Sequence, residues 1–276
     1  MENSVNVNQK TFLGHPMGLF ILFFTELWER FSYYGMRAIL VLYLVSETSG
    51  DNPGMGWSDS SALALYGWYT MFVYLATIPG GILADRYLGQ RKSVMLGGLL
   101  LCFGHGILAV EALWAFYTGL AFIVLGVGCL KGNISTMVGG LYGKDDHNKR
   151  DMGFYIFYMG INIGAAVSAL LVGYIGEVYN WHYGFGLAGI GMAIGQIGYW
   201  KGQKYLTHVG NLIKLEPNKE DKSDNLFLQI FKKINSLVGF SITALIGIYI
   251  GINGDWNYGL LVIAIAIFLL DSYHFK

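Results

Sequence analysis

Charge is the scarcest thing in this sequence. Asp, Glu, Lys and Arg make up 13% of its 276 residues, against 54% hydrophobic residues and a mean hydropathy of +0.46. A soluble domain carries about a quarter charged residues. The shortfall excludes an ordinary water-soluble globule and points to a multi-spanning membrane protein. Proline numbers 4 and cysteine 2. Cys102 and Cys129 lie inside apolar runs, where buried thiols are expected rather than a disulfide or a metal pair. No cleaved leader is expected, because the first apolar run is too long and many others follow it. No nucleophile–base pair, nucleotide loop or metal cluster stands out. The expectation is therefore a protein that is not an enzyme and takes no metal, no cofactor and no nucleic acid. The zero net charge says nothing about partners, because the charges are segregated along the chain. Glycine, by contrast, is plentiful at 39, which suits close helix contacts in lipid.

The apolar runs divide the chain. Residues 1–16 read as a polar, disordered tail ending at Pro16, which can open a helix. Spans are predicted at 17–45, 59–84, 93–111, 114–142, 153–177 and 183–203, giving a bundle over 17–203. A polar linker at 204–236 precedes two further runs, 237–253 and 257–275, separated by the turn-like Asn253-Gly254-Asp255-Trp256-Asn257. Loops 46–58, 112–113, 178–182 and 253–257 hold no Lys or Arg. Loops 85–92, 143–152 and 204–236 hold Arg86, Arg91, Lys92, Lys144, Lys149, Arg150 and a series from Lys204 to Lys233. The positive-inside rule then predicts a multi-pass protein of the cell membrane with both termini cytoplasmic.

The few charges inside the spans carry the argument. In the first span, Glu26, Glu29, Arg30, Tyr33, Tyr34 and Arg37 fall on one side of a helix, and Leu27, Trp28, Phe31, Met36, Ala38 and Ile39 on the other. An unpaired charge in hydrocarbon costs at least about 2.5 kcal/mol, so this stripe must face a polar cavity or its own counter-ions. Glu29 and Arg30 are neighbours that diverge on the helix and are expected to find different partners. Lys131 lies midway along the fourth span, roughly 16 Å from its cytoplasmic end, too far for a lysine to reach the headgroups. Glu26 is at similar depth, so the two are expected to pair across the cavity. Arg37, about 30 Å along its helix, is as well placed to snorkel to the outer surface. Glu26 and Glu29 have a spacing that would permit a metal, but no histidine accompanies them and Arg30 would repel a cation.

Between the second and third spans runs Gly81-Ile82-Leu83-Ala84-Asp85-Arg86-Tyr87-Leu88-Gly89-Gln90-Arg91-Lys92. It resembles the short-loop signature of the major facilitator superfamily, in which Asp85 and the basic residues would latch neighbouring helices and gate a conformational change. Glu26-x-x-Glu29-Arg30-Phe31-x-Tyr33-Tyr34-Gly35 then resembles the opening motif of the proton-coupled oligopeptide transporter (POT/PTR) family. The fifth span adds a second family signature, Phe154-Tyr155-Ile156-Phe157-Tyr158-Met159-Gly160-Ile161-Asn162-Ile163-Gly164-Ala165.

The resemblance, which covers about 17–203, implies an all-α membrane protein. Its fold would be the six-helix N-terminal bundle of a major-facilitator protein, built as 3+3 inverted repeats, with residues 237–276 as a two-helix transmembrane hairpin. It implies proton-coupled symport of di- and tripeptides by alternating access, driven by the proton gradient. Glu26, Glu29, Arg30 and Lys131 would couple protons, and Arg30, Tyr34, Arg37, Tyr69, Lys131 and Asn162 would line the peptide site. Gly81, Asp85, Arg86, Gly89 and Arg91 would form the gating loop. Expected partners are peptides, protons, the lipid bilayer and a C-terminal six-helix bundle that this chain lacks. The alternatives are a related carrier for an amino acid or nitrate, and a truncated membrane protein that transports nothing. Charge counting agrees with the first reading: three cations and two carboxylates leave one positive charge for a peptide carboxylate to neutralise.

Overall fold

The computed structural model describes residues 10–143 and 145–212, which belong to one compact unit. The expected hairpin at 237–276 and all of the linker beyond 212 lie outside the described residues. Among the described residues the elements are two short strands, β1 (Thr11–Phe12) and β2 (His15–Pro16), and seven α-helices. These are α1 (Met17–Val45), α2 (Asp59–Leu75), α3 (Thr77–Leu83), α4 (Gln90–Leu108), α5 (Leu113–Gly140), α6 (His147–Val178) and α7 (Trp181–Gly202).

Residues 11–16 are not the disordered tail that their polarity suggested. Thr11 pairs with Pro16 and Phe12 with His15, around a two-residue turn in which Leu13 and Gly14 have φ of 49° and 78°. Two successive positive φ values are what a tight hairpin turn demands, and Gly14 meets the demand without strain. The Met17 N–H donates to the Lys10 carbonyl at 2.9 Å, so the hairpin also satisfies the start of α1. His15 Nδ1 lies 2.8 Å from the Tyr142 hydroxyl, tying the hairpin to the end of α5.

The second span is one rod with a bend. Ser58 caps α2 by accepting from the Ser61 N–H at 3.3 Å. The chain passes through Ala76 into α3 and finishes in a π-helical turn, Ala84–Leu88. Pro79 has no N–H to offer the Leu75 carbonyl, and this missing bond places the bend.

Among the described residues, three helical stretches are long and apolar enough to cross a membrane: Asp59–Leu88, Leu113–Gly140 and His147–Val178. The apolar residues of α4 and α7 are diluted by glycine and polar side chains. For α1 the reason is its four charges, and the structure accommodates them by making α1 the central helix. Leu19, Leu22, Phe31, Met36, Ile39, Leu40 and Leu44 are buried along it, together with Glu26, Glu29 and Arg30. Its apolar back lies against α6 and α7: the Leu27 carbonyl meets Gly164, and Trp28 lies over Gly191 and Gly195.

The tightest approach is between α4 and α5. A Cβ on Gly97 would lie 2.6 Å from the Gly126 carbonyl oxygen, and one on Gly119 would lie 2.9 Å from that of Gly104. Glycines here let two backbones touch, the usual device where lipid supplies no hydrophobic drive. Past α7 the chain folds back rather than leaving as a solvated linker. Leu206 and Val209 are buried, and the Arg91 N–H donates to the Gly210 carbonyl at 2.9 Å.

Candidate functional site

The charged front of α1 closes on itself. Arg30 Nε lies 2.9 Å from Glu26 Oε1, one helical turn back, and 2.5 Å from Glu29 Oε2. Glu29 and Arg30 do not find separate partners, contrary to the helical-wheel expectation. The guanidinium folds back along the helix and takes both carboxylates. All three side chains are almost fully buried, with Glu29 at 0% exposure. The contacts are ionic and their angles are not those of hydrogen bonds, so capacity is left over. Among the described residues, Glu26 Oε2, Glu29 Oε1 and Arg30 Nη2 are buried with no hydrogen-bond partner. A buried donor left unmet costs free energy, and in native proteins such groups call for a reason.

Aromatic rings complete the wall. The Tyr33 ring lies between two guanidiniums, with Arg30 at 5.6 Å and Arg37 at 5.4 Å from its centroid. Tyr34 is half-buried, with Arg30 at 5.9 Å. Arg37 does not snorkel outward: its Nε donates to the Tyr66 hydroxyl at 2.9 Å, its Nη2 contacts the same oxygen, and the Tyr66 ring lies 5.0 Å away. Tyr69 is buried on α2, its hydroxyl without a hydrogen-bond partner among the described residues, and it lies within electrostatic reach of Tyr33, Arg37 and Glu29.

Lys131 projects from α5 toward α2. Its Nζ sits 4.3 Å from the centre of the Tyr74 ring. The expected ion pair with Glu26 is not formed; among the described residues Arg30 makes the carboxylate pairs. Lys131 nevertheless lies close enough to act electrostatically on both Glu26 and Glu29. Arg30 occupies the carboxylates, so the ammonium is held by an aromatic face instead.

Asn162 is the candidate that the structure leaves apart. It is exposed on α6 and donates to the Tyr158 carbonyl at 3.1 Å, within its own helix. The loop residues also divide. Asp85 and Arg86 are exposed, without an ion pair among those described, so the expected acidic latch is not what joins this loop to its neighbours. The joining is done at Gly89 and Arg91. Gly89, at φ 78°, is packed against residues 210–212, and Arg91 Nη1 reaches the Leu206 carbonyl at 3.4 Å. Gly81 has open space beside it.

Three tyrosines that sequence reasoning did not assign to the site hold its cations: Tyr33, Tyr66 and Tyr74. The signal existed for all of them. Tyr33 shares the α1 stripe, and Tyr66, Tyr69 and Tyr74 fall within one arc of α2.

Comparison with known proteins decides the ancestry. The profile of the POT family matches residues 91–246. This chain belongs to the POT family. A di-/tripeptide transporter of Lactococcus lactis subsp. cremoris is 45% identical over 242 residues, covering 87% of this chain and 48% of the relative. An uncharacterised transporter of Bacillus subtilis (strain 168) is 52% identical over 193 residues, 70% of this chain and 39% of the relative. The crystal structure of a peptide transporter POT in complex with sulfate superposes with a TM-score of 0.72 at 42% identity, covering 88% of this chain and 52% of that one. A POT family transporter in complex with 5-aminolevulinic acid gives 0.72 at 36% identity. The POT chain described here spans about half the length of the curated relatives it matches, and its helical fold is that of the major-facilitator transporters.

Proposed function

We propose that this POT chain supplies the N-terminal half of a proton-coupled symporter of di- and tripeptides. The observation that carries the reading is the unequal pairing inside the bundle. Among the described residues, two buried carboxylates share one guanidinium whose Nη2 has no acceptor, while Lys131 and Arg37 rest on aromatic rings rather than carboxylates. The cluster is one negative charge short. A peptide's C-terminal carboxylate has the charge and the two acceptors to meet the spare donors of Arg30 and the Lys131 ammonium. When Glu26 or Glu29 takes a proton, Arg30 loses a partner and turns to the substrate carboxylate, so proton and peptide affinities are linked through one charge network. The names of the relatives, di-/tripeptide transporter among them, support this substrate class. Di- and tripeptides share backbone and termini, so a site built on charge and tyrosines accepts many sequences.

The exposed candidate Asn162 and the loop Gly81–Arg91 belong to this reading as a peptide-facing side chain and a gating element. In a bundle that alternates, both faces are met by the other six helices. The basic loops favour an N-terminus, linker and C-terminus on the cytoplasmic side. The proton gradient is the only driving force the mechanism requires, with no cofactor.

The test is proton-driven dipeptide uptake in liposomes, with this chain alone and joined to a matching second half. Uptake by the joined protein is expected, and Lys131→Ala and Glu26→Gln should each abolish accumulation against a gradient. Folded protein that takes up nothing in either form, or uphill uptake retained in either variant, overturns the reading. Competition by nitrate or a free amino acid, but not by dipeptides, would reassign the substrate.

A further inference from the structure

The helix that carries Lys131 grips the second span on both sides of its bend. Outward of the bend, the Lys131 Nζ lies on the Tyr74 ring at 4.3 Å, and the Tyr74 carbonyl accepts from Thr77 Oγ1 at 2.6 Å. Inward of it, Asn133 is 5% exposed and its amide reaches three acceptors. These are the Cys129 carbonyl of α5 at 2.8 Å, Ser93 Oγ of α4 at 3.3 Å and the Gly80 carbonyl of α3 at 3.4 Å. Ser93 Oγ in turn donates to the Cys129 carbonyl at 3.2 Å. Between the two grips the backbones touch. A Cβ on Gly80 would overlap the Gly128 carbonyl, and one on Gly128 would lie 2.5 Å from the Ala76 carbonyl oxygen. Pro79 stands in the same turn and removes one rung of the helix.

The two grips differ in kind. The inner one is a buried hydrogen-bond junction tying α3 to α4 and α5, with its donor oversupplied with acceptors. The outer one is a single ammonium on one face of a ring, and Lys131 is half-buried and lies within electrostatic reach of Glu26 and Glu29. Any carboxylate that claims the ammonium removes it from Tyr74 and leaves the inner junction untouched.

We propose that the bend at Ala76–Gly80 is a joint operated by Lys131, with Asn133 the positioning residue that keeps the inner arm fixed while the outer arm is released. Residues 59–75 are the outer arm. The inner arm is α3 with the π-helical turn, which leads directly to Gly89 and Arg91 and their contacts with residues 206–212. The charge cluster thus communicates with one end of the second span through the joint and leaves the other end held. The inference rests on the reading of Lys131 as a member of the transport site, but its geometry can be tested without transport.

The test measures two distances by double electron–electron resonance in the full chain reconstituted in lipid, with Cys102 and Cys129 replaced by alanine. An outer pair carries spin labels at Leu63→Cys and Tyr183→Cys, and an inner pair at Ile82→Cys and Ile197→Cys. All four positions are exposed. Lys131→Gln is expected to shift and broaden the outer distance and leave the inner one unchanged, and Tyr74→Leu should reproduce it. Asn133→Ala should broaden the inner distance. Pro79→Ala restores the missing helix bond, favours folding, and should convert the joint to a rod, so that adding Lys131→Gln then moves both distances together. Equal movement of both arms in Lys131→Gln with Pro79 present overturns the proposal, as does an unchanged outer distance. Loss of dipeptide uptake by the joined transporter with the distances as expected would support the joint. Peptide-independent behaviour of Lys131 in that assay would count against the site reading alone.

Discussion

The charged triad of α1 and the seam between α4 and α5 are both buried, yet they are built on opposite terms. The seam has backbones in contact at Gly97, Gly104, Gly119 and Gly126, and its principal polar groups, Ser93 and Asn133, are bonded several times over. The front of α1 buries two carboxylates and a guanidinium whose hydrogen-bonding capacity is only partly used. One region spends its composition on holding together, and the other holds a charge arrangement that a stable core would not keep. A buried ion cluster is weak evidence for stability, because desolvation offsets much of its attraction. That makes the seam the scaffold and the stripe its cargo.

Removing Arg30 should break the contrast most sharply. Arg30→Met strands Glu26 and Glu29 side by side with no counter-charge among the described ion pairs, and a loss of about 3–5 kcal/mol is expected. Thermal unfolding in detergent reads it. Adding Glu26→Gln and Glu29→Gln should recover most of that loss while leaving transport dead, since the triad's cost is ionic and its use is functional. If the triple variant stays as unstable as the single one, the guanidinium is a packing element and the division between scaffold and cargo fails.

The seam should respond to volume instead of charge. Gly97→Leu would drive a side chain into the Gly126 carbonyl and Leu130, and about 1–3 kcal/mol of overpacking is expected. Gly106→Leu, on the same helix but facing open space, should cost far less. Comparable losses at both positions would mean that α4 and α5 do not depend on close approach.

A smaller effect is expected at Tyr66. Tyr66→Phe keeps the ring beside Arg37 and removes the hydroxyl that its Nε and Nη2 contact, a bond to a charged group worth about 1.5 kcal/mol. The guanidinium is half-buried and gains partial access to water, which lowers the figure. Peptide affinity should fall more than stability, because Arg37 loses its orientation and keeps its environment.

How much of this was legible in the sequence follows the same division. The spans could be read because apolar length is a property of the chain by itself. The stripe could be read because six side chains at helical spacing within one apolar run have no soluble explanation. Which groups pair could not be read. Arg30 reaches back to Glu26 and sideways to Glu29, a choice made by rotamers inside a packed bundle, and that choice hands Lys131 to Tyr74. The loop misled for a related reason. Asp85 looked like its working part, whereas the contact is made by Gly89 and by both the backbone N–H and the guanidinium of Arg91. Polarity misled at both ends of the bundle: the tight turn at Leu13–Gly14 and the two buried residues Leu206 and Val209 order stretches that composition assigned to solvent.

The smallest effect is also the sharpest test of the division, because it concerns a buried polar group on the scaffold side. His105 of α4 is fully buried, and among the described residues neither of its ring nitrogens has a hydrogen-bond partner. Its Cβ lies 3.2 Å from where a Cβ on Gly189 would be, so it fills space against α7. If unmet polar capacity marked function everywhere, His105 would belong with Arg30. It stands outside the charge cluster, and its burial without partners is a cost that the packing of α4 against α7 absorbs. Replacing a buried unsatisfied group by an apolar one of similar volume is neutral or stabilising. His105→Leu is therefore expected to raise stability by up to about 1 kcal/mol, seen as a melting temperature roughly 2–4 °C higher, with uptake by the joined transporter unchanged. A lower melting temperature would show that the imidazole is bonded in the membrane, and lost uptake at full stability would move His105 from the scaffold to the site.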